Sequence, residues 1–373
     1  MNPPPRIASL DQFRGYTVLG MFFVNFVGGF QAIPAIFKHH NTYCSYADTI
    51  MPHFFFAVGF AYRMTLLRRL ASDGPATAYG KVVRRCLGLV LIGAVIYHLD
   101  GGVKNWTELE TLGVAGFLKQ SFQRNLFQTL VHIGVTSLWV MPVMAARPAV
   151  LTAFAAGSAV LHVVLSHWFY YEFAMNRPVI DGGPLGFLTW TVPLAAGALA
   201  HDLLKLRPGA WQQLLGWGGV LMLAGYSLSC LNAVTSPAGL KLGPQPSASD
   251  AASRSLLIEP PFVPPSRPIN LWTMSQRAGS VSYLVFGAGC SLAVFAGFVW
   301  ACDVRTVRVG IFGTLGANAL AGYIIHDLVA EAIKPYAPKD SPLWFALAAF
   351  GLFLAITYLL VRYLEKNNIF IRL

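Results

Sequence analysis

The sequence predicts an all-α, polytopic integral membrane protein with about ten transmembrane helices, and three observations predict it. Of 373 residues, 55% are hydrophobic and 12% charged, which is far more apolar surface than one soluble core buries. The apolar residues fall in runs near twenty residues, the length that crosses a hydrocarbon layer of roughly 30 Å. The Lys and Arg residues sit between those runs rather than in one patch. The net charge of +11 therefore reads as membrane topology, and nucleic acid is not an expected partner.

Taken in order, the spans are expected near 13–36, 47–67, 82–99, 125–145, 148–168, 185–204, 211–231, 279–301, 309–332 and 341–362. The run after Met-Asn-Pro-Pro-Pro-Arg is longer than a signal-peptide core and has no small-residue cleavage site, so it is expected to stay attached as the first span. The apolar stretch 107–120 is short and suits an interfacial or re-entrant segment. The connection between the second and third spans carries Arg63, Arg68, Arg69, Lys81, Arg84 and Arg85, which makes that side cytoplasmic. The same side receives Arg6, Arg14, Arg147, Lys205, Arg207, Arg305, Arg308, Arg362, Lys366 and Arg372. Both termini are then cytoplasmic, and the loop holding His39 and His40 lies outside. The chain 1–373 is expected to form one transmembrane domain. Residues 232–278 form an external Pro-rich loop, with eight prolines between 232 and 270.

Polar groups inside spans are costly unless paired or wet, so each is a candidate for function. Arg14 and Asn25 stand eleven residues apart, close to three helical turns, and so share one helix face about 16 Å apart. His39 and His40 follow in the next loop, where an imidazole can serve as general base or as acyl acceptor. Asp48 opens the second span and can cap it or orient an imidazole. Asn270 and Trp272 precede the eighth span on the outer side, where an aromatic face suits a sugar ring or an interfacial anchor. His53, His132, His162 and His326 are placed within spans. No HxxxH or HExxH pair occurs, and the five cysteines lack CxxC spacing, so no metal site and no disulfide framework are expected.

These residues carry a resemblance. Ser9-Leu-Asp-Gln-Phe-Arg-Gly, Val24-Asn25 with Gly28-Gly29, Lys38-His39-His40 and Ala47-Asp48-Thr-Ile-Met-Pro52 resemble the transmembrane acyltransferases typified by heparan-alpha-glucosaminide N-acetyltransferase, in a bacterial form. In the same order follow Arg124-Asn-Leu-Phe-Gln128, Asp181-Gly-Gly-Pro-Leu185, Pro268-Ile-Asn-Leu-Trp-Thr273, Gly316-Ala-Asn-Ala319 with Tyr323, and Ile369-Phe-Ile-Arg-Leu. The chain departs from the family at Thr129, where the family has Arg, and at His53, where it has an aromatic residue.

The resemblance implies an acyl-CoA-dependent N-acetyltransferase of a bacterial inner membrane, and suggests a homodimer. Acetyl-CoA would donate from the cytoplasm and a glucosamine-type amino sugar would accept outside. It places the functional asparagine at Asn25 and the catalytic histidine at His39 or His40. Arg14, Arg63, Arg68, Gln128 and Asn318 become expected donor contacts, and Asp48, Asn270 and Trp272 expected acceptor contacts. Asn25 would stabilise an oxyanion, and the histidine would deprotonate the amine or carry the acetyl group. Two alternatives stand beside this: an O-acyltransferase of envelope polysaccharide, and a transporter using Arg14, Asn25, Asp327 and the intramembrane histidines as a polar path.

Overall fold

The computed structural model describes residues 7–98, 103–123, 127–176, 180–234 and 256–371, and in these it is helical without strands. Arg6, Arg372, residues 124–126 of one quoted motif and part of the Pro-rich loop lie outside the described residues. Six helical stretches are long and apolar enough to cross a membrane by length and composition: Tyr46–Ser72, Pro148–Asn176, Gly183–Leu206, Trp211–Ala233, Val281–Val304 and Leu343–Lys366. The chain is a helical integral membrane protein. The expected count of about ten also needs shorter or more polar segments, among them 8–27, where Asp11, Gln12, Arg14 and Asn25 dilute the hydropathy, and 75–98, which carries Lys81, Arg84 and Arg85.

Helix α1 (Ala8–Val27) ends well short of the expected residue 36. Gly28, Gly29 and Pro34 withdraw helical support, yet Phe30 and Ile33 remain buried. The apolar run therefore continues as a packed loop with one 3₁₀ turn at Ala35–Phe37. Ser45 and Asp48 form a reciprocal capping box that starts α2 (Tyr46–Ser72), with Asp48 Oδ2 accepting from Ser45 N at 2.8 Å. After α3 (Pro75–His98) comes α4 (Trp106–Gln123), kinked at Gly113, where φ is 64°. α5 spans Thr129–Val140, and α6 (Pro148–Leu165) runs through a π-helical turn, Ser166–Tyr170, into α7 (Tyr171–Asn176). α8 (Phe187–Leu206) and α9 (Trp211–Cys230) follow. α10 (Val281–Phe298) ends in a π-helical segment, Val299–Val304. The ninth expected span is two helices, α11 (Gly310–Ala317) and α12 (Ala319–Ile333), broken at Asn318 (φ −129°, ψ 45°). α13 (Leu343–Lys366) closes the bundle.

In lipid, helices associate by close contact of small residues, and glycines set the tight crossings here. A Cβ on Gly59 would overlap the Leu194 carbonyl and one on Gly197 the Phe56 carbonyl, so α2 and α8 touch backbone to backbone. Gly15 and Gly316 do the same for α1 and α11, as Gly218, Gly225 and Gly289 do for α9 and α10. α2 lies at the centre, in contact with α1, α3, α5, α8 and α10.

In the half of α2 far from the histidine loop, Arg63 is buried and locked. Its guanidinium meets both Asp202 oxygens, at 3.0 and 2.7 Å, and donates to the carbonyls of Met144 and Ala146. All three guanidinium nitrogens are thus engaged by protein, and the expected donor contact at Arg63 is replaced by a structural junction of α2, α8 and the turn after α5. Arg63→Ala strands the Asp202 carboxylate and two carbonyls. It is expected to destabilise the fold by about 3 kcal/mol, seen as a lower thermal midpoint in detergent, while the KM for any thioester donor stays unchanged.

Candidate active site

At the histidine end, α1, α2, α5 and α12 enclose a cavity of about 320 Å³ with the connections before α8 and α10. Asn25 reaches it from the last turn of α1, and His39 and Asn41 reach it from the loop that follows. Met51 and Phe54 of α2, Gln128 and Thr129 at the start of α5, Asp181, Gln276 and Arg277, and Tyr323, His326 and Asp327 of α12 complete the wall.

His39 Nδ1 lies 2.8 Å from Asp48 Oδ1. The carboxylate is fully buried while the imidazole is 45% exposed. Because Asp48 can only accept, Nδ1 carries the hydrogen, and in the neutral ring Nε2 then holds the lone pair, with Gln276 also within reach of the ring. The same carboxylate holds the α2 cap through Oδ2, and Ser45 Oγ stands 2.9 Å from Oδ2 and 2.7 Å from Lys38 O. Tyr283 of α10 donates to the Asp48 carbonyl at 2.6 Å. Asp48 thus serves both roles open to it in the sequence: cap and orienter.

Asp181 stands behind this dyad in a left-handed conformation, φ 55°, before two further positive-φ residues, Gly182 and Gly183. Gly182 lies against Gly279 with room for no side chain, which brings the connections before α8 and α10 together. Gln276 Nε2 donates to Asp181 Oδ1 at 2.7 Å, and Trp190 Nε1 donates to its carbonyl at 2.7 Å. Burial raises the Asp181 carboxyl to about 6, with Gln276 and His39 opposing and Asp48 adding to the rise. For His39, loss of water favours the neutral ring, but the hydrogen bond and charge of Asp48, helped by Asp181 and Gln276, outweigh it and raise the imidazole above its ordinary value.

The neighbouring histidine is placed differently. His40 Nε2 bonds the Ala35 carbonyl at 2.8 Å and its ring stacks on Tyr43 at 4.2 Å, away from the cavity lining. Of the expected donor contacts, Gln128 lines the cavity and the others do not. Arg14 sits 3.8 Å from Asp11 near the opposite end of α1, and Arg68 is exposed on α2. Asn318 is buried at the helix break, where its amide donates to Ile369 O at 2.9 Å and accepts from Ile371 N at 3.2 Å. It clamps the chain's tail. Asn270 accepts from Trp272 N at 2.9 Å in a local turn, and the cavity is lined instead by Gln276 and Arg277, a few residues later. Of the intramembrane histidines only His326 reaches the cavity. His53 is bonded to Ser291 at 2.8 Å and His162 to Ser166 at 3.3 Å, while His132 is fully buried.

A second, narrower crevice of about 30 Å³ lies towards the other end of α2, lined by Val58, Tyr62, Thr65, Arg69, Arg85 and Ser137 among others. Arg69 and Arg85 share it without a carboxylate partner among the described residues. Asp73, whose carboxylate feels the charge of Arg69, is held by Lys81 at 2.7 Å. No group of three or more His, Cys, Asp or Glu side chains suited to a metal occurs among the described residues.

No family model matches the chain. Over 117 residues it is 32% identical to the human (Homo sapiens) heparan-alpha-glucosaminide N-acetyltransferase, a stretch that covers 30% of this chain and 17% of that protein.

Asp181, Gln276 and Asn41 were not expected as site residues, and Asp327 with the intramembrane histidines was expected only as a polar path in the transporter alternative. The available signals were an acid immediately before Gly-Gly in a connection and two adjacent titratable residues inside an apolar span. Since Asp48 holds the His39 proton, Asp48→Asn is expected to lower the pH at which that ring deprotonates. The sign follows from charge: removing the anion disfavours the imidazolium. Histidine-selective NMR titration in nanodiscs, comparing His39→Gln for assignment, checks it; an unmoved midpoint rejects the dyad.

Proposed function

We propose that the protein transfers an acetyl group from acetyl-CoA to the amine of a glucosamine-type sugar across the bilayer, with His39 as general base and Asn25 as oxyanion donor. The observation that carries the reading is the orientation of His39 by Asp48 in the same cavity as Asn25. The amine nitrogen attacks the thioester carbonyl carbon, a C–N bond forms, and the carbonyl electron pair moves onto oxygen. Asn25, which has no hydrogen-bond partner among the described residues, donates its amide hydrogen to that oxygen. His39 Nε2 takes a proton from the attacking nitrogen. The C–S bond then breaks and the thiolate leaves.

The cavity volume suits an acyl group and a sugar but not a whole coenzyme, so the nucleotide belongs elsewhere. One stripe of α2 supports a route. Ala47, Ile50 and Phe54 line the cavity and Val58, Tyr62, Thr65 and Arg69 line the crevice, all at spacings of three or four residues. Thr129, Ile133 and Ser137 of α5 continue from one to the other in the same way. Phe54 to Thr65 covers about 16 Å of helix, comparable to an extended pantetheine arm. Arg69 and Arg85 then take the phosphates, in place of Arg14, Arg63 and Arg68. The distribution of basic connections puts this crevice on the cytoplasmic side and His39 outside. Asp181 and Asp327 in the cavity suit an ammonium-bearing sugar over a neutral one.

Protein reconstituted in liposomes is expected to consume acetyl-CoA and acetylate glucosamine. Asn25→Ala and His39→Ala should each lower kcat by about 100-fold or more, while His40→Ala changes it little. Arg69→Ala and Arg85→Ala together should raise the KM for acetyl-CoA without lowering kcat. Acetylation of hydroxyl-only sugars in preference to glucosamine would point to the O-acyltransferase, and solute uptake without thioester consumption to a transporter.

A further inference from the structure

The wall facing α1 holds a second imidazole beside a carboxylate, and the mechanism above does not use it. His326 is 2% exposed, and its ring stacks on Phe22 at 5.3 Å and 21°. Nδ1 lies 2.5 Å from the Tyr323 carbonyl. A carbonyl only accepts, so Nδ1 carries the hydrogen and Nε2 presents a lone pair. That Nε2 is buried, makes no hydrogen bond among the described residues, and stands 3.2 Å from Asp327 Oδ1. Both residues line the same cavity as His39. Two acceptors side by side with no hydrogen between them form a site that gains by receiving a proton.

We propose that His326, supported by Asp327, is a second proton acceptor that converts an incoming ammonium into the free amine that attacks. This rests on the acetyltransferase reading and specifies its acceptor as an amine. An amino group of pKa near 8 enters mostly as R–NH₃⁺, which has no lone pair. It must lose one proton before the C–N bond forms and a second from the tetrahedral nitrogen afterwards. A hydroxyl must lose one proton in all. His326 Nε2 takes the first proton, and the imidazolium forms beside the Asp327 carboxylate. His39 Nε2 takes the second. The departing thiolate recovers one of these as the thiol, and the other is released to water, so ammonium and thioester give amide, thiol and one proton.

The charged and titratable groups about His326 are Tyr323 and Asp327 on its own helix and Lys334 just beyond that helix's end. Across the cavity are His39, Asp181 and Arg277. α1 faces the ring with Phe22, behind which lies Phe353 of α13, 5.8 Å from Phe22.

The test is the pH profile of His326→Gln in proteoliposomes, with acetyl-CoA as donor and two acceptors: glucosamine, and an alkoxyamine already neutral at pH 7. With glucosamine at pH 7 the variant is expected to lose 10-fold or more in kcat/KM, and to recover most of it by pH 9, where the sugar arrives deprotonated. With the alkoxyamine, variant and wild type should differ by less than threefold at both pH values. A loss independent of pH and acceptor assigns His326 to structure and overturns the proposal, as does a variant with the wild-type profile. A wild type that transfers no acetyl group to either acceptor overturns the acetyltransferase reading itself, which is a different result from transfer that ignores His326.

Discussion

One buried carboxylate governs the histidine end. Asp48 directs one oxygen to His39 and the other to the start of α2, and its own carbonyl receives the Tyr283 hydroxyl of α10. A fully buried carboxylate is tolerable only when its acceptor capacity is filled. The loop that supplies His39 and Ser45 is therefore fixed by the need to satisfy that group. The loop cannot shift without stranding the anion, and the imidazole inherits a set tautomer without needing to be buried itself. A half-exposed ring on an irregular segment is thereby held in one place and one orientation, the positional order that the proposed general-base role needs.

The close helix crossings place the rest of the wall around this point. Because Gly59 and Gly197 bring α2 and α8 to backbone contact, the connection before α8 is drawn up to α2's first turns, and Asp181 comes behind His39. The tight contact of Gly182 with Gly279 joins that connection to the one before α10, which delivers Gln276 and Arg277. In the far half of α2 the Arg63–Asp202 pair performs the complementary task. A bidentate guanidinium bridging α2, α8 and the turn after α5 keeps α2 from sliding along its glycine contacts. α2 is thus pinned at its start by one anion and in its second half by one cation, each almost wholly satisfied by protein.

Much of this was legible in the sequence, and what was not has identifiable causes. Hydropathy revealed a helical membrane protein and, at most helices, a core within a few residues of the observed one. It failed at 28–36, because a buried loop and a helix look alike to hydropathy; the Gly28-Gly29 and Pro34 breakers were the better guide. It also passed over the break at Asn318, which is stabilised by amide bonds to Ile369 and Ile371, some fifty residues away. Asn25, His39, Asp48 and Gln128 converge because they sit within a turn of helix ends that share one face of the bundle. Arg63 was misplaced because its partner, Asp202, is 139 residues distant, and positive charge near a span end reads the same whether it faces a phosphate or a buried acid. Asp181 and the His326-Asp327 pair carried local signals, but only their common cavity gives those signals a meaning.

The proton inventory of that cavity sets its working range. Asp181 changes charge near pH 6 and His39 somewhat above the ordinary imidazole value. As pH falls through this interval Asp181 loses its negative charge and His39 gains a positive one, so both changes disfavour an ammonium and remove the base. As pH rises, the cavity becomes more anionic and the proposed base is restored, while the ammonium form of the proposed amino-sugar acceptor is progressively lost in solution. Attraction for the charged acceptor and capacity to deprotonate it therefore grow together on the acid side. Only the concentration of the ammonium form declines on the alkaline side. The proposed task of gathering a cation and then stripping its proton is best served by carboxylates beside imidazoles rather than by either alone, and the pairs Asp48–His39 and Asp327–His326 are arranged in that way.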